Sequence, residues 1–505
     1  MEVLLGIYII AAACLAIYGF NTWLYILLFL FKGGTRAAPA TRKLPDRSAP
    51  DRFPYVTVQL PIYNELYVVE RLIDAAAGLQ WPRSRLQIQV LDDSDDETTQ
   101  IAQARVEYHR KRGVNIELFR RDSRQGYKAG ALAAAFGSAH GEFITIFDAD
   151  FVPPRAFLKQ TIPFFLSQPQ LGLVQARWGH VNADYSSLTR AQAMALDAHF
   201  AIEQNVRSKM SWFMNFNGTA GVWRRACIES VGGWQPDTLC EDMDLSYRAH
   251  LHGWKFLFLN DLVCPAEVPP QIHAFKRQQF RWAKGTTQCL IKYARRLATE
   301  PIPTAKRVEA FLHLSAYTLH PIGVLMLLVL VPLTLNRIHA PEPLSFFSLA
   351  SFGPPLLIGL AQRVLHKNWR SRLAYFPVLV LIGVGLAFNN SLAVLSALAR
   401  RPSSFRRTPK FNVVDSRHRW DQKRYALPVS WEVLGEIFLA LYAAVGLHGA
   451  LETGQYWIVP AFSLYALGFG YVAALTVLHS RTRVVVASQQ GESAGLEEIK
   501  MGTLS

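Results

Sequence analysis

Along the chain, charged positions vanish in four long stretches and return in a regular rhythm between them. Val3 to Phe31, Ala310 to Asn336, Leu373 to Ala399 and Thr453 to Ser480 contain no Asp, Glu, Lys or Arg. Each exceeds the roughly 20 residues that a helix needs to cross a bilayer. Leu344 to Gln362 and Ile437 to Leu451 are shorter apolar candidates. From Phe53 to about Glu300 the pattern differs. Short β-branched runs, VTVQL (56–60), IQVL (88–91), IELF (116–119), FITIF (143–147) and LGLVQ (171–175), alternate with helical, often Ala-rich, segments. Strands separated by helices predict an α/β domain, a mostly parallel sheet with helices on both faces, inserted between membrane helices.

Composition agrees with that division: 505 residues, 50% hydrophobic and only 18% charged, leave room for one such domain and a membrane part. The first apolar run is too long for the core of a secretory signal. It ends in Phe31-Lys32-Gly33-Gly34 without a small-residue cleavage site, so it reads as a retained anchor. The net charge of +15 raises nucleic acid as a partner, but the cations crowd beside the spans. Six Lys or Arg lie between Lys32 and Arg52, and nine between Arg400 and Arg424, as in cytoplasmic flanks. No helix-turn-helix, ribonucleoprotein or zinc pattern accompanies them, so no nucleic-acid partner is expected. Cys14, Cys227, Cys240, Cys264 and Cys289 form no close pair and no metal spacing with His, which suits a reducing cytosol. With the domain cytoplasmic, the basic stretches 363–372 and 400–424 and the tail at Arg481 and Arg483 all belong inside. One span before the domain and four after it satisfy this if 373–399, with Asn389 and Asn390 in it, lies along or re-enters the membrane.

Ligands of open parallel sheets bind beyond the carboxyl ends of the strands. Three strands run into polar clusters: Pro61-Ile62-Tyr63-Asn64-Glu65, Asp92-Asp93-Ser94-Asp95-Asp96 and Asp148-Ala149-Asp150. A lone Asp-x-Asp is as readily a solvated turn; three clusters at equivalent ends ask for a shared ligand. Two carboxylates one residue apart suit a hard divalent cation such as Mg²⁺, which takes one or two protein carboxylates and shares substrate phosphates. A nucleotide diphosphate is the ligand this chemistry points to. Gly126-Tyr127-Lys128-Ala129-Gly130 opens a helix whose free N–H groups and Lys128 ammonium suit phosphate, although an ordinary loop-to-helix junction reads the same way. Cys240-Glu241-Asp242-Met243-Asp244 places acids at a helix start, where macrodipole partners also sit. Asn217-Gly218-Thr219-Ala220-Gly221 is a small-residue turn. QQFRWAKG (278–285) sets Gln278, Arg281 and Trp282 on one helical face just ahead of a charge-free run.

Taken in order and followed by membrane spans, Pro61 to Glu65, Asp92-Asp93, Asp148-Ala149-Asp150, Glu241-Asp242 and Gln278-Gln279-Phe280-Arg281-Trp282 resemble the motifs of the processive family 2 glycosyltransferases. These are the cellulose-, mannan- and hyaluronan-synthase type enzymes. NFNGTAGVWRR (215–225) and QQFRWAKG look most like the cellulose-synthase-like glucomannan synthases and their bacterial relatives. The resemblance implies a GT-A type nucleotide-sugar-binding domain. It implies a hexosyltransferase that polymerises a β-linked polysaccharide, of β-glucan or β-mannan type, with inversion, and passes it through its own spans. The implied partners are a nucleotide-sugar donor of UDP-glucose or GDP-mannose type, the growing polysaccharide and the bilayer of an inner or plasma membrane. Mg²⁺ or Mn²⁺ is the implied cofactor, and export subunits stay unspecified.

By this resemblance Asp242 is the general base. Tyr63, Glu65, Asp92, Asp93, Lys128, Asp148 and Arg281 hold the nucleotide, with Asp148 and Asp150 on the metal. Asn217, Gly218, Thr219, Glu241, Gln278, Gln279 and Trp282 meet the acceptor, the Trp282 indole stacking on a sugar. Phe405-Arg406-Arg407-Thr408-Pro409-Lys410 is similar to the family's gating loop, Phe-x-Val-Thr-x-Lys, through Phe405, Thr408 and Lys410, with Arg407 in place of valine. Cys240 stands where the cellulose-synthase branch carries Thr. The implied organisation is a transmembrane helix over 1–34, a cytoplasmic domain with interfacial helices at its end over 53–300, and transmembrane or interfacial helices over 305–399. A cytoplasmic gating loop over 400–428, transmembrane helices over 430–480 and a short cytoplasmic tail over 481–505 follow, with no cyclic-di-GMP-binding domain. A single-transfer enzyme acting on a membrane lipid, similar to ceramide glucosyltransferases, is the alternative. A nucleotide-sensing transporter fits less well, because charged residues are nearly absent from the spans.

Overall fold

The computed structural model describes residues 1–32, 44, 50–338, 348–402, 405–415 and 417–502, with side chains up to Ser480. Most of the basic stretch after the first helix, the start of the 344–362 candidate and the side chains of the 481–505 tail lie outside the described residues.

Seven strands form one sheet in the order β3-β2-β1-β4-β6-β5-β7. They are β1 Val56–Ile62, β2 Leu86–Asp92, β3 Ile116–Arg120, β4 Phe143–Ile146, β5 Leu171–His180, β6 Gly221–Arg224 and β7 Lys255–Ala266. β1 to β4 pair in parallel, with Ile62 opposite Asp92 and Gln59 opposite Ile146. β6 runs antiparallel between β4 and β5, and β7 pairs with β5 in parallel. All of β2 and all but Pro61 of β1 are buried, which is why these strands read as unbroken runs: helices cover both faces of the sheet. On one face Val58 and Leu60 pack with Leu72 and Phe157; on the other Ile144 and Ile146 pack with Leu132 and Phe216.

Among the described residues five helical stretches are long and apolar enough to cross a membrane: Glu2–Phe31, Thr304–Leu335, Trp369–Leu398, Glu432–Glu452 and Tyr456–Ser480. Large apolar side chains such as Ile10, Phe31, Leu441 and Leu467 stand exposed on them. Together they mark a membrane protein. Among the described residues the 344–362 candidate contributes the 13-residue helix Gly353–Leu365, short of a full crossing. Trp369–Leu398 turns at Leu386, and its two halves have different neighbours. Phe376–Gly385 packs on the last helix and on Ser187–Ala198 of the sheet domain; Ala387–Leu398 packs on Ile272–Thr299 and Leu319–Leu335.

Buried polar ties fasten the domain to these helices. Arg207 donates to Glu309 at 2.9 Å, and the Tyr25 hydroxyl meets the same carboxylate. Asp197, at the end of Ser187–Ala198, accepts from Gln362 at 3.1 Å and pairs with His366 at 2.8 Å and Arg372 at 3.4 Å.

Candidate active site

Because β1, β2 and β4 end side by side, the chain leaving each of them enters one crevice. Asn64 takes the left-handed conformation, φ 54°, and its amide donates to Asp95 at 2.6 Å, joining the exits of β1 and β2. Beyond β4, the Asp148 N–H donates to Thr219 Oγ1 and the Ala220 N–H to Ile146 O, both at 2.9 Å, so the turn before β6 lies against Asp148. β7 ends beside them: the Val152 N–H bonds Pro265 O at 2.9 Å and the Glu267 N–H bonds Asp150 Oδ2 at 3.1 Å. A π-helical turn, His199–Gln204, supports the Asn217 side chain, to which Gln204 donates at 2.8 Å; such widened turns recur at functional sites.

The resulting cavity brings together Tyr63, Glu65, Asp93, Lys128, Asp148, Asp150, Asn217, Gly218, Glu241, Asp242, Gln278, Arg281 and Trp282, and also Phe405, Thr408 and Lys410. Asp92, Thr219 and Gln279 do not line it. The Asp92 carboxylate turns away to Arg120 at 3.2 Å, as strand alternation requires of two adjacent residues. Thr219 is buried behind Asp148, and Gln279 accepts from the Tyr317 hydroxyl at 3.5 Å. Arg124, Trp178, His180 and Glu267 line the cavity without having been singled out in the sequence. Arg124 lies 3.3 Å from the Tyr63 ring centroid.

Gly126, with φ 71°, turns the chain into the helix Tyr127–Phe136 and delivers Lys128. Its ammonium reaches Asp148 at 2.6 Å, Gly218 O at 2.9 Å and Glu241 at 3.7 Å, and so ties the strand ends to the helix Glu241–Leu251. Burial works against this charge, but Asp148 and Glu241 together outweigh it and hold the Lys128 pKa above the ordinary lysine value. Asp242 is in the opposite situation. Burial first, and then the neighbouring Glu241, push its carboxyl up to about 7 despite Lys128. A Cβ at Gly218, whose φ is +82°, would come within 3.0 Å of Asp242 Oδ2, so glycine lets the turn approach the carboxylate. Asp244, on the same helix, is fully buried and bonds Arg248 at 2.7 Å, Lys292 at 2.6 Å and Tyr293 at 2.5 Å. It fastens Glu241–Leu251 to Ile272–Thr299.

The stretch from Phe405 to Asn412 lies inside this crevice. Lys410 pairs with Asp150 at 2.8 Å and Arg407 with Glu65 at 3.2 Å, while Glu267 accepts from the Phe411 and Asn412 N–H groups at 3.0 and 2.7 Å. Phe405 stacks near Tyr127, centroids 5.6 Å apart, and under Arg281 at 5.2 Å. Burial raises the Glu65 pKa to about 8, with Arg407 opposing, and that of Glu267 to about 7, with Lys410 opposing. The space left is about 150 Å³, below the roughly 300–1,000 Å³ of ordinary ligand pockets.

Asp148 and Asp150 suit a hard divalent cation, and Asp150 Oδ1 is buried with no hydrogen-bond partner among the described residues. Among the described residues no group of three or more His, Cys, Asp or Glu is placed to hold a metal by itself. A cation here would complete its shell with phosphate oxygens and water.

Comparison with known proteins gives this arrangement its class. Residues 54–285, which supply most of the cavity's lining, match the family model described as glycosyltransferase like family 2, and the fold of this segment is GT-A-like. Over 237 residues, 46% of the chain, it is 49% identical to glucomannan 4-beta-mannosyltransferase 2 of Arabidopsis thaliana, covering 44% of that protein. Over 253 residues, 49% of the chain, it is 46% identical to probable glucomannan 4-beta-mannosyltransferase 9 of Oryza sativa subsp. japonica, covering 48% of it. The chain thus spans about half the length of the curated relatives it matches. Among solved structures it is similar to the mannosyltransferase PcManGT from Pyrobaculum calidifontis in complex with GDP-Man and Mn²⁺. The TM-score is 0.52 at 22% identity, over 79% of this chain and 100% of that one, a likeness of fold.

Proposed function

We propose that the chain is a processive, inverting hexosyltransferase that extends a β-linked polysaccharide, β-mannan first and β-glucan second, and passes it through its own membrane helices. One observation carries the reading: the strand-end acids, a carboxyl at Asp242 poised near neutrality and the Trp282 indole meet in a single cavity. The relatives named for glucomannan mannosyl transfer, and the neighbour that holds GDP-Man and Mn²⁺, support a GDP-mannose donor and a divalent cation.

In this reading Tyr63, Glu65 and Asp93 flank the nucleoside, and Asp148 and Asp150 hold the cation, which neutralises diphosphate charge when bound. Asp242 takes the proton of an acceptor hydroxyl while that oxygen attacks the anomeric carbon; a base with a pKa near the working pH is the efficient one. The bond between that carbon and the donor phosphate oxygen breaks on the opposite face, which inverts the centre. Lys128 and Arg281 stabilise the charge left on the diphosphate. Trp282 and Gln278 hold the terminal sugar of the acceptor.

A second cavity of about 820 Å³, lined by Tyr8, Tyr18, Tyr25 and Trp457, lies among the membrane helices and supports a path for the product. The two ends of Trp369–Leu398 support its lying along the cytoplasmic face. Arg372 pairs with Asp197 of the domain, and Lys284 of the domain donates to Ser396 at 2.8 Å and to Arg401 O at 2.7 Å. A crossing helix cannot bring both ends to one side.

The test is to incubate the purified chain in nanodiscs with GDP-mannose and UDP-glucose separately, size the product and digest it with β-mannanase or β-glucanase. A long β-linked chain is expected. A single lipid-linked sugar would transfer the case to the single-transfer alternative, and the absence of nucleoside diphosphate release would end the transferase reading.

A further inference from the structure

The Ile272–Thr299 helix turns Gln278 and Trp282 toward the transfer cavity, but Lys276, Arg277 and Lys284 line a second space of about 470 Å³. Asn389 and Ser396 of Ala387–Leu398 form another wall, and Arg401, Arg406 and the stretch Leu427 to Glu432 close it. Arg281 and Phe405 stand between the two spaces and line both. Six cations, Lys276, Arg277, Arg281, Lys284, Arg401 and Arg406, thus face one pocket whose lining includes a single acid, Glu432.

Their charge is poorly matched inside the protein. Lys276 is the one with an ion pair among the described residues, to Glu436 at 2.5 Å. Lys284 is given neutral acceptors, Ser396 Oγ and Arg401 O, and Arg281 Nε is buried with no hydrogen-bond partner among the described residues. Burial, and then Arg406 and Arg407, depress the Arg277 pKa; burial, and then Arg401, depress that of Lys284. Like charges held together in a partly buried pocket repel strongly unless an anion joins them, and guanidinium forks match phosphate oxygens in geometry.

We propose that this pocket binds a phosphate-bearing anion, held by Arg277, Lys284, Arg401 and Arg406. The ligand bridges the Ile272–Thr299 helix to the stretch that carries Phe405 and Arg407, so its presence steadies the closed position of that stretch. Phosphate of this kind comes from a phospholipid headgroup or from a soluble phosphate compound. Trp431 and Val429, 64% and 51% exposed, alternate in the chain with the lining residues Pro428, Ser430 and Glu432, an exposed apolar pair of the kind that meets lipid headgroups. The inference concerns binding and does not rest on the transferase reading.

The experiment uses the full chain purified in a neutral detergent and two probes: inorganic pyrophosphate, followed by calorimetric titration, and phosphatidylglycerol against phosphatidylcholine, followed by native mass spectrometry. Arg277→Gln/Arg406→Gln is expected to weaken binding of one probe at least tenfold. Loss confined to phosphatidylglycerol assigns the pocket to lipid, and loss confined to pyrophosphate assigns it to a soluble phosphate. Ser396→Glu, which places a carboxylate beside Lys284, is expected to abolish the same binding while raising the melting temperature without ligand. It decides the matter if the double variant does not fold. Binding of neither probe by the wild type, or equal binding by the wild type and the folded variants, overturns the proposal.

Discussion

At the strand ends of the transfer cavity the acids are matched by cations. Asp93 has Arg121 at 2.6 Å, Asp148 has Lys128 at 2.6 Å and Asp150 has Lys410 at 2.8 Å. On the opposite wall Asp242 has no cation within ion-pair reach among the described residues, and burial beside Glu241 carries its carboxyl to about 7. The first arrangement suits carboxylates that keep a cationic partner, which at Asp148 and Asp150 is a lysine in this structure and a metal ion in the proposed function. The second suits a group that gains and loses a proton near neutral pH. One cavity thus holds the same functional group in two electrostatic settings, and the difference lies in burial and partners rather than in the residue type.

The largest effect is expected where that contrast is erased. Asp242→Asn removes the proton acceptor and should lower sugar transfer by about 10²–10⁴-fold, read as nucleoside diphosphate release. The same substitution should raise the melting temperature at pH 8, because a buried carboxylate is replaced by a neutral amide. Asp244→Asn should do the reverse to stability. Its carboxylate answers Arg248 and Lys292 in a buried network, and breaking such a network costs about 3–5 kcal/mol. If both variants lost stability equally, the two roles assigned along this helix would collapse into one.

That pair also marks the limit of the sequence. Glu-Asp-Met-Asp announces acids at a helix start, and apart from the family resemblance that singled out Asp242 nothing in the local pattern separates it from Asp244, because the deciding partners Lys292 and Tyr293 arrive from a helix far along the chain. The parallel core was readable from β-branched runs, and the strand-end clusters followed from it. Asp92 and Asp93 were separable in principle, since strand alternation sends neighbours to opposite faces. β6 was not, being four residues long and opening on a glycine. Glu267 and His180 escaped because each reaches the cavity through the pairing of β5 with β7, a long-range contact that no local motif signals. Among the apolar runs, length set Leu344 to Gln362 below the full crossings, and the basic flanks set Leu373 to Ala399 apart, but neither run showed in the sequence which helices it packs against.

A smaller effect sharpens the strand-end side. Lys410 occupies Asp150 Oδ2, so it competes with any cation for that carboxylate. Lys410→Ala should therefore tighten Mn²⁺ binding to the nucleotide-free protein by about tenfold, while lowering turnover by a similar factor because the closed stretch loses its anchor. Manganese titration followed by electron paramagnetic resonance measures the first, and donor consumption the second. Unchanged Mn²⁺ affinity would mean that Asp150 is not a metal carboxylate.

The smallest effect concerns protons, and its sign follows from the direction of the shifts. Glu65, Asp242 and Glu267 have folded-state values of about 8, 7 and 7, all above their ordinary range near 4. Between those limits the folded protein keeps protons that the unfolded chain has released, so stability must fall as pH rises through the window and level off above it. Each group contributes at most about 1.4 kcal/mol per pH unit, and less where water enters. The nucleotide-free protein should therefore melt several degrees lower at pH 8.5 than at pH 5.5. Glu267→Gln should flatten the slope, because it removes one of the three titrating carboxyls while leaving an oxygen for the Phe411 and Asn412 N–H groups. Glu65 is covered by the same stretch through Arg407, so lifting the stretch hydrates both carboxyls and lets them ionise. Higher pH should then also speed proteolysis between Phe405 and Asn412. A melting temperature that climbed across this range, or cleavage independent of pH, would show that the carboxyls under the stretch are hydrated even in the closed protein, and the contrast with Asp242 would then have to rest on Glu241 alone.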